Sequence, residues 1–195
     1  GEENQGNYKV TFVKGILTIT KSTDIDVVPE PGDDAEKMDA ESKSITVVYD
    51  GKPHTVKGKA TVAGAKIEYS TNGGSTWSEI APVRTDAGSV SFSIRASADN
   101  YETVTKSGYT LTVTPKDATV KTGSATKPYD GTALTNDEAS IEGLVTGETA
   151  TVTANGSQTA VGSSENGYSI AWGTAKEGNY TITEELGTLT VTEAE

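Results

Sequence analysis

A chain of 195 residues with 28 acidic and only 16 basic side chains, a formal charge of −12, has no cluster of Lys and Arg to neutralise phosphates. This excludes a nucleic-acid surface and disfavours anionic membranes. The absence of Cys removes disulfides, thiolate metal ligands and cysteine nucleophiles together, and no apolar run of about 18 residues is present to insert into a membrane. With 33% apolar residues, two Phe and one Met, the cores must be thin, built from Val, Ile, Leu, Tyr and Ala on half-buried strands.

Taken in chain order, residues 7–20 read as a hairpin. Tyr8, Val10 and Phe12 alternate with Lys9 and Thr11, Lys14-Gly15 turns, and Ile16 to Thr20 returns as the second strand. This hairpin is expected to pack its apolar face (Tyr8, Val10, Phe12, Ile16, Ile19) on the following module or on a neighbouring chain. Residues 22–42 hold Asp24-Ile25-Asp26 and Pro29-Glu30-Pro31-Gly32-Asp33-Asp34. Prolines and acidic excess read there as a solvated linker, with a short helical turn around 34–41. The spacing of its acids lacks the ordered pattern of a calcium loop.

A first whole repeat begins near Lys43. Strands are expected at Ile45 to Tyr49 and Thr55 to Val62. Lys66 to Ser70 and Thr76 to Ile80 flank the Asn72-Gly73-Gly74 turn as a hairpin. Ser89 to Ala96 must bury Val90, Phe92 and Ile94, and residues 101–105 and 109–114 form a closing hairpin. Pro115 ends the ladder, since proline cannot donate to it. The second repeat offers strands at Thr119 to Thr122, Thr149 to Ala154, Gly167 to Trp172, Tyr180 to Thr183 and Leu189 to Thr192, with no helix of ten residues. Short strands at roughly 8–12 residue spacing with glycine punctuation mean a sandwich or small β-roll.

Three stretches repeat one pattern. Asn7-Tyr8, Asn100-Tyr101 and Asn179-Tyr180 each precede, seven residues after the tyrosine, Gly15, Gly108 and Gly187, and then Leu-Thr-Ile-Thr or Leu-Thr-Val-Thr. Tyr49-Asp50-Gly51 and Tyr129-Asp130-Gly131 form a second recurring element, 52 and 51 residues before Tyr101 and Tyr180. Self-similarity at a fixed period marks an array of like modules. Turn chemistry accounts for both motifs: Asp bonds nearby backbone N–H groups, Gly permits the turn, and the Tyr ring serves a thin core.

The expected fold is therefore all-β: two tandem small β-sandwich modules, immunoglobulin-like or β-roll, preceded by an orphan hairpin from an upstream repeat. The divisions are 1–21 for the hairpin, 22–42 for the acidic linker, 43–116 for the first repeat and 117–195 for the second. The chain opens partway through a repeat and reads as a piece of a longer protein.

Tyr-Asp-Gly, the 51–52 residue gap and the Asn-Tyr…Gly-x-Leu-Thr-Val-Thr ending resemble the YDG and MBG repeats, tandem all-β modules of large bacterial surface proteins and adhesins. The second repeat, with Thr126-Lys127-Pro128-Tyr129-Asp130-Gly131-Thr132 and Gly143-Leu144-Val145-Thr146-Gly147-Glu148, matches the YDG pattern more closely. The first looks more like an MBG or immunoglobulin-like cousin. The resemblance brings no catalytic residues. It implies an extracellular, cell-surface or wall-attached stalk or adhesion segment whose partners are neighbouring repeats of the same chain.

Little else in the chain suggests chemistry. Ser70 to Trp77 resembles the Asp-box hairpin of sialidase propellers, with Asn72 in place of the aspartate and only one copy. His54 stands alone, without the second ligand or triad partner that zinc or nucleophilic chemistry needs. A Lys–Asn isopeptide bond could replace disulfides, but no Lys, Asn and acid trio is identifiable. No catalytic residue, metal ligand or cofactor site is expected, so an enzyme is the least favoured reading. The candidate binding residues are Trp77 and Trp172, which could stack on sugar faces of a host glycan or on a surface protein. Full exposure of either would favour an adhesive module, and burial of both would favour a spacer.

Overall fold

A computed structural model describes residues 3–5, 8–10, 13–33 and 37–194. Phe12, Asp34 and the residues beside them lie outside that set. The chain is all-β. Its strands in order are β1 (Glu3–Gln5), β2 (Tyr8–Val10), β3 (Val27–Pro31), β4 (Met38–Asp39), β5 (Ser44–Val48), β6 (His54–Ala60), β7 (Lys66–Ser70), β8 (Val83–Arg84) and β9 (Gly88–Ser97). They continue with β10 (Val104–Thr114), β11 (Lys116–Thr122), β12 (Ala125–Pro128), β13 (Ala139–Glu142) and β14 (Ala150–Ala154). The last are β15 (Gly162–Glu165), β16 (Tyr168–Trp172), β17 (Tyr180–Glu185) and β18 (Thr188–Thr192). The single helical element among the described residues is one 3-10 turn, Glu177–Asn179.

The first module is a sandwich. One sheet runs β4-β5-β10-β9-β7 and the other β3-β6-β8. Alternation on β9 and β10 sends Phe92, Ile94 and Leu111 inward to meet Val27 and Val56 of the facing sheet and Ile25 just before it. Burying such a side chain contributes about 1.5–3 kcal/mol. The second module repeats the plan with shorter strands, as sheets β13-β11-β17, β12-β18-β15 and β14-β16.

The repeat holds at the level of single registers. Val48 lies opposite Thr114 in the parallel pair β5–β10, and Pro128 opposite Thr192 in β12–β18. Tyr49 N–H donates to the Thr114 carbonyl at 2.8 Å, and Tyr129 N–H to the Thr192 carbonyl at 2.9 Å. Gly88 pairs with Val113 as Gly162 pairs with Val191, and the Ser89–Thr112 and Ser163–Thr190 hydroxyl pairs beside them sit at 2.8 and 2.9 Å.

Several expectations are corrected. β10 runs from Val104 to Thr114 as one strand along β9, so residues 101–105 and 109–114 form no closing hairpin. Thr76 to Ile80 forms no strand and meets β7 only at the Tyr69–Ser78 bridge. Residues 22–33 are no solvated linker. Ser22 bridges Tyr101, β3 pairs antiparallel with β6, and Ile25, Val27 and Pro29 are buried at every second position. Prolines are tolerated because β3 is an edge strand, where a missing donor breaks no second ladder. Further on, Met38–Asp39 pairs with β5, and the Asp39 carboxylate accepts the Glu41 and Ser42 N–H groups to close a turn. The first module therefore begins near Ser22, not Lys43.

The return strand expected at Ile16 to Thr20 is not formed. β2 pairs with β1 instead, and residues 13–21 pair with no described strand. Val13, Ile16, Leu17 and Ile19 are all about nine-tenths exposed. Leu17 holds the sequence position that Leu111 and Leu189 hold in the modules, where flanking strands bury both completely. No described strand flanks Leu17 in that way, so its apolar face finds no partner.

The recurring glycine also serves different ends. Gly108 sits at φ +82° beside the register shift in β10, a conformation that favours glycine. Gly187 has no such angle. A Cβ there would lie 2.3 Å from the Gly123 carbonyl, so close backbone approach, not a turn, requires it.

Candidate functional site

The two modules meet over one residue, Pro115, between β10 and β11. The joint is assembled from the recurring motifs. Tyr49 of the first Tyr-Asp-Gly turn and Tyr180 of the last Asn-Tyr pack edge to face, ring centroids 5.7 Å apart at 84°. Both are buried, with Val113, Ala118 and Ala175 in the same apolar cluster. Such aromatic pairs contribute about 0.5–1.5 kcal/mol beyond their buried area.

Glu148 lies between the two phenols. The Tyr49 hydroxyl donates to its Oε1, the Tyr180 hydroxyl donates to its Oε2 at 2.7 Å, and Val145 N–H donates to the Tyr180 oxygen at 2.9 Å. Burial pushes the Tyr49 phenol up to about 12, and its bond to Glu148 adds to the rise. Burial likewise raises Tyr180. Both therefore remain neutral donors at ordinary pH.

Asn179, 2% exposed, also spans the modules. Its Oδ1 accepts the Ala87 N–H at 2.8 Å, and its Nδ2 donates to Asp86 Oδ1 at 3.0 Å. Lys176 Nζ reaches Asp86 Oδ2 at 2.6 Å. The Lys176 ammonium beside Asp86, together with the Asn179 amide, holds that carboxyl below its usual value. These three residues form a Lys, Asn and acid set, but Lys176 is two-thirds exposed and its contact with Asp86 is a surface ion pair.

Neither tryptophan meets its expectation fully; both are half-buried. The Arg95 guanidinium stands 4.5 Å over the Trp77 ring and is itself paired with Glu68 at 2.8 Å, so one face of Trp77 is taken. The hairpin before Trp77 is a self-contained turn. Asn72 Oδ1 accepts the Ser70 hydroxyl and the Thr76 N–H, while Asn72 Nδ2 donates to the Thr76 hydroxyl. Trp172 stacks on Tyr180 at 6.0 Å and 15°, and also borders an open groove of about 600 Å³ with Tyr168, Glu177, Ile182 and Glu184. Tyr168 donates to Glu184 Oε1 at 2.6 Å, and that bond raises its phenol.

His54 Nε2 lies 3.0 Å from Asp50 Oδ1, a contact within the first Tyr-Asp-Gly turn. Among the described residues no three His, Asp or Glu converge as a metal site. The reading from the sequence missed Glu148, Asn179 and Asp86 as joint residues. The usable signal was the tyrosine of each motif: turn chemistry explains Asp and Gly, but no turn requires a large phenol beside them.

Compared with known proteins, residues 114–187, which cover most of the second module, are similar to the YDG domain. No curated protein and no solved structure matches the chain.

Proposed function

We propose that this chain is a non-catalytic spacer: β-modules locked end to end in a segment of a bacterial surface protein, extracellular or wall-attached, that holds an adhesive part away from the cell. The observation carrying this reading is the joint, where Tyr49 and Tyr180 from successive modules share Glu148. A one-residue connection with a buried aromatic pair and a bridging amide restricts rotation that a flexible linker would allow. The surface location rests on what YDG and MBG repeats imply. Small-angle scattering tests the spacer reading. A rigid pair gives one fixed maximum dimension that does not change between low and high salt, whereas a broad, salt-dependent distribution would refute it.

The groove beside Trp172 supports a second reading, an adhesive module for a glycan or surface protein. Its half-exposed ring offers an apolar face, and Glu177 and Glu184 offer acceptors for sugar hydroxyls. Glycan-array binding that disappears in Trp172→Ala supports it; an array blank for the unaltered chain removes it.

A further inference from the structure

The groove beside Trp172 opens where the two modules differ in their strand pairing. In the first module the second half of β9 meets β10 directly: Ile94, Arg95 and Ala96 lie opposite Lys106, Thr105 and Val104. Gly88 and Gly162 hold matching registers, so counting on equally from each sets Tyr168 to Ile170 where the first module has Ile94 to Ala96. Likewise Thr183 to Glu185 follow Tyr180 as Val104 to Lys106 follow Tyr101. These stretches of β16 and β17 form no ladder among the described residues. β17 follows β11 instead, from Lys116 opposite Tyr180 to Lys121 opposite Glu185. In the first module the matching parallel contact is the single Ser22–Tyr101 bridge.

Two strand edges therefore face each other across the groove. Asn155 N–H donates to the Gly167 carbonyl at 2.8 Å, and Gly173 N–H to the Thr149 carbonyl at 3.0 Å. These bonds flank the β14–β16 ladder, and bonding groups alternate sides along an antiparallel strand. The odd-numbered residues of β16 thus serve β14, and the N–H and C=O groups of Tyr168, Ile170 and Trp172 point away from it. On β11, Gly123 N–H donates to the Glu138 carbonyl at 2.8 Å, so odd-numbered residues serve β13 while Ala118 and Val120 face β17. In the parallel register those two bond the residues on either side of Ile182 and Glu184. The backbone groups of Ile182 and Glu184 are left turned to the groove.

We infer that this groove accepts an extended, basic segment of another polypeptide, added as a strand between β16 and β17. The inference rests on the adhesive reading of the same groove and specifies its partner. Two facing rows of backbone donors and acceptors match a peptide strand, which pairs with an exposed sheet edge through its own main chain. Ile170, Trp172, Ile182 and Leu186 border the groove, all half-buried, and suit alternate apolar side chains of the incoming strand. Glu177 and Glu184 border it as well, and no Lys or Arg does among the described residues. The remaining side chains of the partner are therefore Lys or Arg. A second copy of the chain, at a net charge of −12, is repelled rather than drawn in.

The test titrates the full chain with an acetylated, amidated heptapeptide alternating valine and lysine, followed by amide NMR and hydrogen exchange. Two controls are the same peptide methylated at every second amide nitrogen, and a peptide alternating valine and glutamate. The expected result is binding that protects the Tyr168, Ile170 and Trp172 amides from exchange. It weakens about tenfold or more on methylation, since several strand bonds are lost, and is not seen with the glutamate peptide. Ile170→Pro removes one groove-facing N–H and no bond to β14, so it should abolish binding; if that variant fails to fold, the methylated peptide makes the same test on the unaltered chain. No binding of the valine–lysine peptide, equal binding after methylation, or protection confined to other strands overturns the inference. Self-association of the chain that protects the same amides assigns the groove to a second copy and also overturns it. Glycan binding that is lost in Trp172→Ala, without peptide binding, overturns the inference and leaves the adhesive reading standing; absence of both removes both.

Discussion

Tyr49 and Tyr180, 131 residues apart in the sequence, meet edge to face with their rings 5.7 Å apart and their hydroxyls on the two oxygens of one carboxylate. Each belongs to a motif that recurs along the chain. The recurrence therefore encodes a way of joining modules as well as a way of turning strands.

Removing the carboxylate should loosen the joint without unfolding the modules. Glu148→Ala leaves two buried phenols without their acceptor, at a cost of about 1–3 kcal/mol. The expected signature is faster amide exchange at Val113 and Ala118, with β7, β9 and β14 unchanged. Equal loss of protection throughout both modules would contradict a local role.

The phenol predicts an alkaline limit. Tyr49 titrates at about 12 in the folded chain and near 10 when unfolded. A raised pKa means that the folded state holds its proton more tightly. The stabilisation is full below pH 10 and is lost as pH rises from 10 towards 12. Tyrosinate absorbance should show a late-titrating class that loses one phenol in Tyr49→Phe. A single class near 10 in the unaltered chain would contradict the buried joint.

Acid acts on the opposite side. The Asp86 carboxyl is lowered by Lys176 and Asn179, so its contribution is present above the ordinary carboxylate range and is lost as pH falls below it. The Ala87 amide, bonded to Asn179, should lose exchange protection with that titration. In Asp86→Asn the acid-dependent step should vanish; its persistence would assign it elsewhere.

Asn166 is fully buried and knits the second module together. Its Nδ2 donates to the Gly123 and Asn136 carbonyls, and its Oδ1 accepts the Gly156 N–H. Asn166→Ala should cost about 2–4 kcal/mol, since three backbone groups lose a partner away from water. Melting of the second module reads the effect directly; a shift as small as that of an exposed substitution would deny the role.

Much of this fold is visible in the alternation of apolar residues. Phe92 and Ile94, Leu111 and Val113, and Leu189 and Val191 all face inward as their spacing predicts. Two features hid the rest. β3 carries the same two-residue period at Ile25, Val27 and Pro29, masked by prolines that an edge strand accepts. The joint depends on residues far apart in sequence, and Glu148 and Asn179 look like ordinary loop residues until Tyr49 and Asp86 are brought beside them. Residues 16–20 show the limit of local pattern: strand-like alternation forms no strand where no described strand offers backbone partners.

The central claim is that two modules are held as one body by Tyr49, Tyr180, Glu148 and Asn179. Residual dipolar couplings measured separately for residues 44–114 and 116–192 test it most directly. A single alignment tensor should fit both sets, and Tyr49→Ala should split it into two of different magnitude. Two unrelated tensors in the unaltered chain would contradict the account.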